Sequence, residues 1–207
     1  MNLIDETLFE NDLPSNVTLD GEYSLDIKPT PSGRKCLNAK TDIVNGPFYF
    51  WFWKQFETLP NTNLRLQMTA SVDTEIDSFG IGWQIIHNNQ YAVMFARANF
   101  YRNTVEVINN TTPHIWTKYE NIALSQFPKD YCKSFNIWLD CNPISFTYSQ
   151  FGIQDNMTGV ETVIPLSISN VPSTNTGINS YKIKINPKGV LGIQASARID
   201  CIRVYEL

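Results

Sequence analysis

Tyr49, Trp51, Trp53 and Gln55 occupy alternate positions of residues 46–57, GPFYFWFWKQFE. In an extended strand these four side chains point the same way. Flat aromatic faces can stack on sugar rings, and an amide can both donate to and accept from hydroxyls. The set therefore has the chemistry needed to hold a saccharide. The intervening residues Phe48, Phe50 and Phe52 are hydrocarbon as far as Lys54, which suits the face turned to a core. The competing reading is that Trp and Tyr are themselves core residues, and that a strand this apolar is buried on both faces. Gln84 and Arg97 are further hydrogen-bonding candidates on neighbouring strands, with their face left open by the sequence. Trp116 and Tyr119 fall in a stretch that reads as irregular, where loop aromatics would rim a cleft.

Other chemistries find less support. His87 and His114 are the only histidines, and neither lies in a nucleophile motif such as G-x-S-x-G. No phosphate-binding or dinucleotide-binding glycine motif occurs. Cys36, Cys132, Cys141 and Cys201 form no C-x-x-C pair and have no histidine at ligand spacing, so a zinc site is not expected. Buried thiols in a reducing compartment are the expectation. A Cys132–Cys141 bridge across a hairpin is the alternative, because the two flank a strand-like segment. Asn16, Asn109, Asn110 and Asn156 lie in N-x-S/T sequons, which arise by chance in a chain rich in Asn and Thr.

The elements that must position these residues are strands. No apolar stripe of helical period runs over three turns. Short alternating stretches are expected at 23–27, 35–38, around Trp51, 63–72, 79–86, 90–100, 103–109, 134–139, 144–151, 160–169, 181–185, 190–196 and 200–205. Asn88-Asn89 reads as a hairpin turn, and Pro165 marks an edge or a bulge. Residues 116–130 read as a connection with a short turn of helix at most, and 170–180 as a surface loop. Spacings of this kind predict an antiparallel sandwich or jelly roll.

Composition sets outer bounds. The chain has 207 residues, 43% hydrophobic and 17% charged, which suits one globular β domain spanning 1–207. Its net charge of −4, with no Lys/Arg cluster, argues against nucleic acid. No apolar run is long enough to cross a bilayer as a helix. The acidic start MNLIDETLFENDLP does not read as a signal peptide. The compartment stays open.

The last residues, VLGIQASARIDCIRVYEL at 190–207, resemble the closing segment of the concanavalin A-like lectin/glucanase superfamily. Leu8-Phe9, the Gly-Ile-Gly-Trp stretch at 80–83 and the Tyr-led stretch at 91–95 are compatible with it. The resemblance implies an all-β, antiparallel two-sheet sandwich, similar to family-16 glycoside hydrolases and their non-catalytic relatives. Those enzymes carry a Glu-x-Asp-x-x-Glu-like run, since a retaining glycosidase needs two nearby carboxylates. Here Glu75 and Asp77 share a parity, but Gly80 (or Phe79) stands where the second glutamate would be. A non-catalytic protein is therefore expected. The resemblance also implies a structural calcium, with Asp200 matching its aspartate; a plain solvated Asp200 is the alternative. Three functions follow in order: a lectin-like carbohydrate-binding module, a structural or self-assembling protein acting through protein contacts, and a divergent glycoside hydrolase using Glu75 and Asp77.

Overall fold

Where apolar and polar residues alternate, the chain is extended. A computed structural model describes residues 1–9, 16–20, 22–26, 35–41, 50–73, 76–124, 127, 133–174, 177–187 and 196–207. The strands are β1 (Asn2–Leu8), β2 (Val17–Asp20), β3 (Glu22–Asp26), β4 (Cys36–Lys40), β5 (Phe50–Gln55), β6 (Leu64–Val72), β7 (Ile76–His87) and β8 (Gln90–Asn99). They continue with β9 (Thr104–Asn110), β10 (Ile115–Tyr119), β11 (Phe135–Asn142), β12 (Thr147–Asp155), β13 (Glu161–Ser169), β14 (Ser180–Pro187) and β15 (Ser196–Glu206). One sheet runs β13-β12-β11-β6-β15-β4-β3, with β1 also paired to β15; the other runs β10-β9-β8-β7-β14-β5-β2. Each strand pair is antiparallel, and the two sheets pack face to face.

The inner faces are the apolar halves of these alternations. Leu64, Leu66, Met68 and Ala70 of β6 meet Phe79, Ile81, Trp83 and Ile85 of β7 in one buried cluster. Phe79 and Phe135 touch edge to face across the sheets, with centroids 6.1 Å apart. Phe50 and Phe52 are fully buried, as the sequence leads one to expect of that parity. Lys54 continues the same inner row and is also buried, because a partner is provided. Its Nζ donates to Asp5 Oδ1 at 2.7 Å and to Thr7 Oγ1 at 3.0 Å. Thr7 Oγ1 shares a 2.8 Å hydrogen bond with Tyr181 Oη. A buried charge needs such satisfaction, and this network ties β1 of one sheet to β5 and β14 of the other.

Turn chemistry follows the side chains. Asn88 and Asn89 both hold positive φ, 49° and 60°, and join β7 to β8 in a two-residue hairpin. Pro165 lies on β13, which among the described residues pairs with β12 alone, at a register shift near Gln150. Two close approaches require glycine. A Cβ on Gly152 would overlap the Trp138 ring, and one on Gly80 or Gly82 would overlap Phe95 or its backbone.

Several sequence expectations need correction. Residues 116–119, the start of the stretch read as irregular, belong to β10; among the described residues it has one neighbour and no fully buried residue, so it shows little periodicity. The first residues pair as β1 with β15. The closing segment is one strand from 196 on, offset by a bulge at Asp200; residues 188–195 lie outside the described residues. Cys141 is a free, buried thiol, as the leading expectation had it, and burial pushes its pKa up; Cys132, the other half of the alternative hairpin bridge, lies outside the described residues.

The segment after β13 differs most from its reading as a surface loop. The β8–β9 ladder ends at Ala96 and Val107, and beyond it the strands part. Residues 170–173 enter the gap. Ser173 exchanges two 2.8 Å hydrogen bonds with Tyr91, and Val171 bonds Asn109 and Thr111, each at 3.0 Å. Asn170 Nδ2 donates to the carbonyls of Val93 (3.0 Å) and Ile108 (3.1 Å). Tyr148, reaching from the other sheet, accepts from Phe95 N–H at 2.9 Å and donates to Ile108 O at 2.6 Å. Removing Asn170 takes the donor from the buried Val93 carbonyl and the acceptor from the Thr111 hydroxyl, while Ile108 O keeps Tyr148. Asn170→Ala is expected to lower stability by about 2–3 kcal/mol in urea titration, with faster amide exchange at the 91–95 end of β8.

Candidate functional site

The outer face of the seven-stranded sheet gathers residues far apart in sequence. Cross-strand register sets Trp53 opposite Lys182, Lys182 opposite Gly82, and Gly82 opposite Phe95. Phe95 and Ile108 face each other across the opening that Tyr148 bridges, and Ile108 pairs with Trp116. Trp53 and Trp116 thus end one row. It spans four paired steps of about 4.8 Å and the wider β8–β9 opening, more than roughly 20 Å in all. The next row holds Trp51, Lys184, Gly80, Arg97, Glu106 and Lys118. A third holds Gln55, Ser180, Gln84 and Val93.

Packing on this face is specific. Phe95 lies against the glycine steps 80 and 82 and meets Trp116 edge to face at 6.3 Å. Val93, Phe95 and Ile108 form a second, small buried cluster, flanked by Tyr91 and Trp116. The Arg97 guanidinium stands 4.3 Å above the Trp116 ring, a cation–π distance, and its Nε donates to Glu106. At the other end Lys182 Nζ is 5.8 Å from the centre of the Trp53 ring. Gln84 Nε2 donates to Tyr91 Oη, and Gln84 Oε1 accepts from Ser180 Oγ at 3.2 Å. Burial pushes the pKa of Lys182 down; burial and then the charge of Arg97 push that of Lys184 down.

A cleft of about 780 Å³ opens at the rim beside this face. Asp5, Asn16, Gln55, Phe56, Glu57 and Asn179 line it. Asn16 and Gln55 hold each other through Asn16 Nδ2 to Gln55 O and Gln55 N to Asn16 O, both 3.0 Å. Asn179 Oδ1 accepts from Ile86 N–H at 2.8 Å.

The residues singled out from sequence divide as follows. Trp53, Gln55, Gln84, Arg97 and Trp116 share the outer face. Trp51 has its backbone on the same parity, and Tyr49 lies outside the described residues. Tyr119 is on the opposite side, packed against the main core, where burial raises its pKa. Asp200, partly exposed, is the extra residue of the β15 bulge. Among the described residues no three of His, Cys, Asp and Glu come together as a metal site. Asp77 begins β7, accepts from Asn99 Nδ2 at 3.3 Å and has its pKa raised by burial; Glu75 lies outside the described residues. Lys182 and Lys184 were not singled out, although the alternation of 181–185 places them on the face opposite Tyr181, Ile183 and Ile185. Phe56 and Asn179 come together with Asp5 only through pairing between distant strands, which single-sequence periodicity does not carry.

No family model matches the sequence, and no curated protein does either. Solved structures do match in shape. Peanut lectin, in a complex with a nine-residue peptide, superposes with a TM-score of 0.60 at 7% identity, covering 97% of this chain and 96% of that one. Lectin I-B4 of Griffonia simplicifolia, in a metal-free form, gives 0.60 at 10% identity, covering 99% and 100%. A carbohydrate esterase of the Shiga toxin-encoding bacteriophage phi24B gives 0.51 at 11% identity, covering 96% and 95%. The chain has the concanavalin A-like jelly-roll fold.

The two parities of β5 predict unequal costs. Phe52→Ala, in the core, is expected to lose about 3–5 kcal/mol in urea unfolding. Trp53→Ala, on the partly open face, should lose less than about half of that.

Proposed function

We propose that this protein binds carbohydrate without transforming it, on the outer face of the seven-stranded sheet. One observation carries the reading: Trp53 and Trp116, 63 positions apart by their numbers, stand on one face in one row. Their rings offer stacking surfaces, and Gln55, Gln84 and Arg97 offer donors and acceptors for hydroxyls. A calcium ion held in part by Asp200 remains part of the proposal, as a structural element away from this face.

The lectins of the same fold support the saccharide reading at the level of fold, and the esterase shows that the fold also accompanies chemistry. Function must be argued from the site. The described part of the run 73–80 supplies Asp77 as a carboxylate on β7, bonded to Asn99 and without a second glutamate at position 80. A second reading, self-association, is favoured by β13, an edge strand that exposes Val163.

A glycan array, with light scattering on the same sample, separates these readings. Binding of a defined glycan class by a monodisperse species is expected. Trp53→Ala and Trp116→Ala should each weaken that binding by about tenfold, or ~1.4 kcal/mol. A blank array with growing particles would replace the saccharide reading with self-association. Turnover of a chromogenic glycan, lost in Asp77→Asn, would replace it with an enzyme.

A further inference from the structure

The rim cleft lies where the two sheets end together. Asp5 reaches it from β1 of one sheet; in the other, Gln55 ends β5, Phe56 follows it and Ile86 comes from β7. Two asparagines in its wall are each held by one half of their amide. Asn179 Oδ1 accepts from Ile86 N–H at 2.8 Å, and the Asn179 carbonyl accepts from Phe56 N–H at 2.8 Å. Asn16 Nδ2 donates to the Gln55 carbonyl at 3.0 Å. These backbone partners decide which way each amide faces. The other halves, Asn179 Nδ2 and Asn16 Oδ1, have no protein partner among the described residues. One is a donor and the other an acceptor.

We propose that this cleft seats the end residue of a neutral saccharide, with Asn16 Oδ1 and Asn179 Nδ2 reading its hydroxyls and Phe56 against its ring, while the rest of the saccharide leaves along β5 toward Trp53. The proposal rests on the carbohydrate reading and deepens it, from a face to the point where a chain end is held.

Size, polarity and continuity support this. The volume of about 780 Å³ falls in the range of small-molecule sites, roughly 300–1,000 Å³. A hydroxyl both donates and accepts, so a sugar can satisfy both open amide halves. Asp5 adds an acceptor: Lys54 Nζ binds its two oxygens at 2.7 and 2.9 Å, and a carboxylate offers about four lone-pair sites. Phe56 is half-buried, and Tyr181 and Trp83 back its ring at 5.6 and 6.3 Å between centroids, which makes it a fixed wall. The charges disfavour an acidic sugar. Lys54 is engaged by Asp5 and Thr7, and Glu57, the other charged residue of the described lining, is negative and exposed. Gln55 belongs to both places. It lines the cleft and follows Trp53 on the same outward parity, about 7 Å along the strand. A saccharide stacked on Trp53 is therefore one step from the cleft.

The test is an amide NMR titration with the methyl glycosides of glucose, galactose, mannose, fucose, xylose and N-acetylglucosamine, of glucuronic acid, and of the end residue of whichever glycan the array retains. Each is used at about 50 mM, enough to fill a site of millimolar Kd. At least one neutral glycoside is expected to shift the amides of Gln55, Phe56, Ile86 and Asn179 more than those of Gly82, Phe95 and Trp116. The glucuronide is expected to bind more weakly. Asn179→Asp keeps an oxygen for Ile86 N–H and removes the donor; it should weaken the best neutral glycoside by about tenfold without lowering the melting temperature. Trp53→Ala should leave single-sugar binding intact while weakening the oligosaccharide from the array. Shifts at the outer face alone, array binding with no shift at the cleft, or an affinity unchanged in Asn179→Asp would overturn the cleft claim and leave carbohydrate binding standing. Stronger binding of the glucuronide than of every neutral glycoside would overturn the neutral-sugar claim. No shift with any glycoside, together with a blank array, would overturn both the cleft and the carbohydrate reading.

Discussion

A sheet cannot be opened without finding partners for its backbone. Between β8 and β9 the ladder stops at Ala96 and Val107, and amides and carbonyls buried behind it would be stranded. The chain answers from two distant places. Tyr148 fills one gap from the opposite sheet, and residues 170–173 run in as a short wedge. Asn170 is central, since its amide group serves two carbonyls and its oxygen accepts from Thr111 at 2.7 Å. Because these groups are satisfied, the two strands can diverge in the interior. The divergence is what gives Phe95, Ile108 and Trp116 room to pack as a cluster outside the main core.

Glycine does the complementary work on the neighbouring strand. Residues 80 and 82 lack side chains on the outer face, so Phe95 can rest there and hold Trp116 edge-on. Arg97 then sits on Trp116 and is pinned by Glu106. Each side chain on this face is placed by the previous one, and the chain of contacts begins at the wedge. Toward the other edge of the same sheet the Lys54, Asp5, Thr7 and Tyr181 network plays a similar part. It lets a charged residue end an inner row of phenylalanines without an unpaired ion.

The fold was legible where burial imposes period two. The alternations of β6, β11 and β14 appear in the sequence, because one face of each strand is sealed against the opposite sheet. The split of β5 into a Phe face and a Trp face was legible for the same reason. The reading failed where burial is not periodic. β10 is an edge strand with a single neighbour among the described residues; Ile, Trp, Thr and Tyr give IWTKY strand propensity, but it has no sealed face to impose a period. Residues 170–173 (NVPS) look like a loop because Asn, Pro and Ser are turn residues, yet Asn170 is buried through its own polarity, by hydrogen bonding to a gap that only the tertiary structure creates. The site shows the same division. The parity of Trp53 and Gln55 could be read locally, whereas the side on which Gln84, Arg97 and Tyr119 lie depends on registers between strands.

The shared fold names no ligand, at identities of 7–12%. What the outer face can recognise is set instead by the side chains that strand register brings beside Trp53 and Trp116, among them Gln55, Gln84 and Arg97. Register is a property of the whole sheet, so the same fold with other residues at these positions would present a different surface.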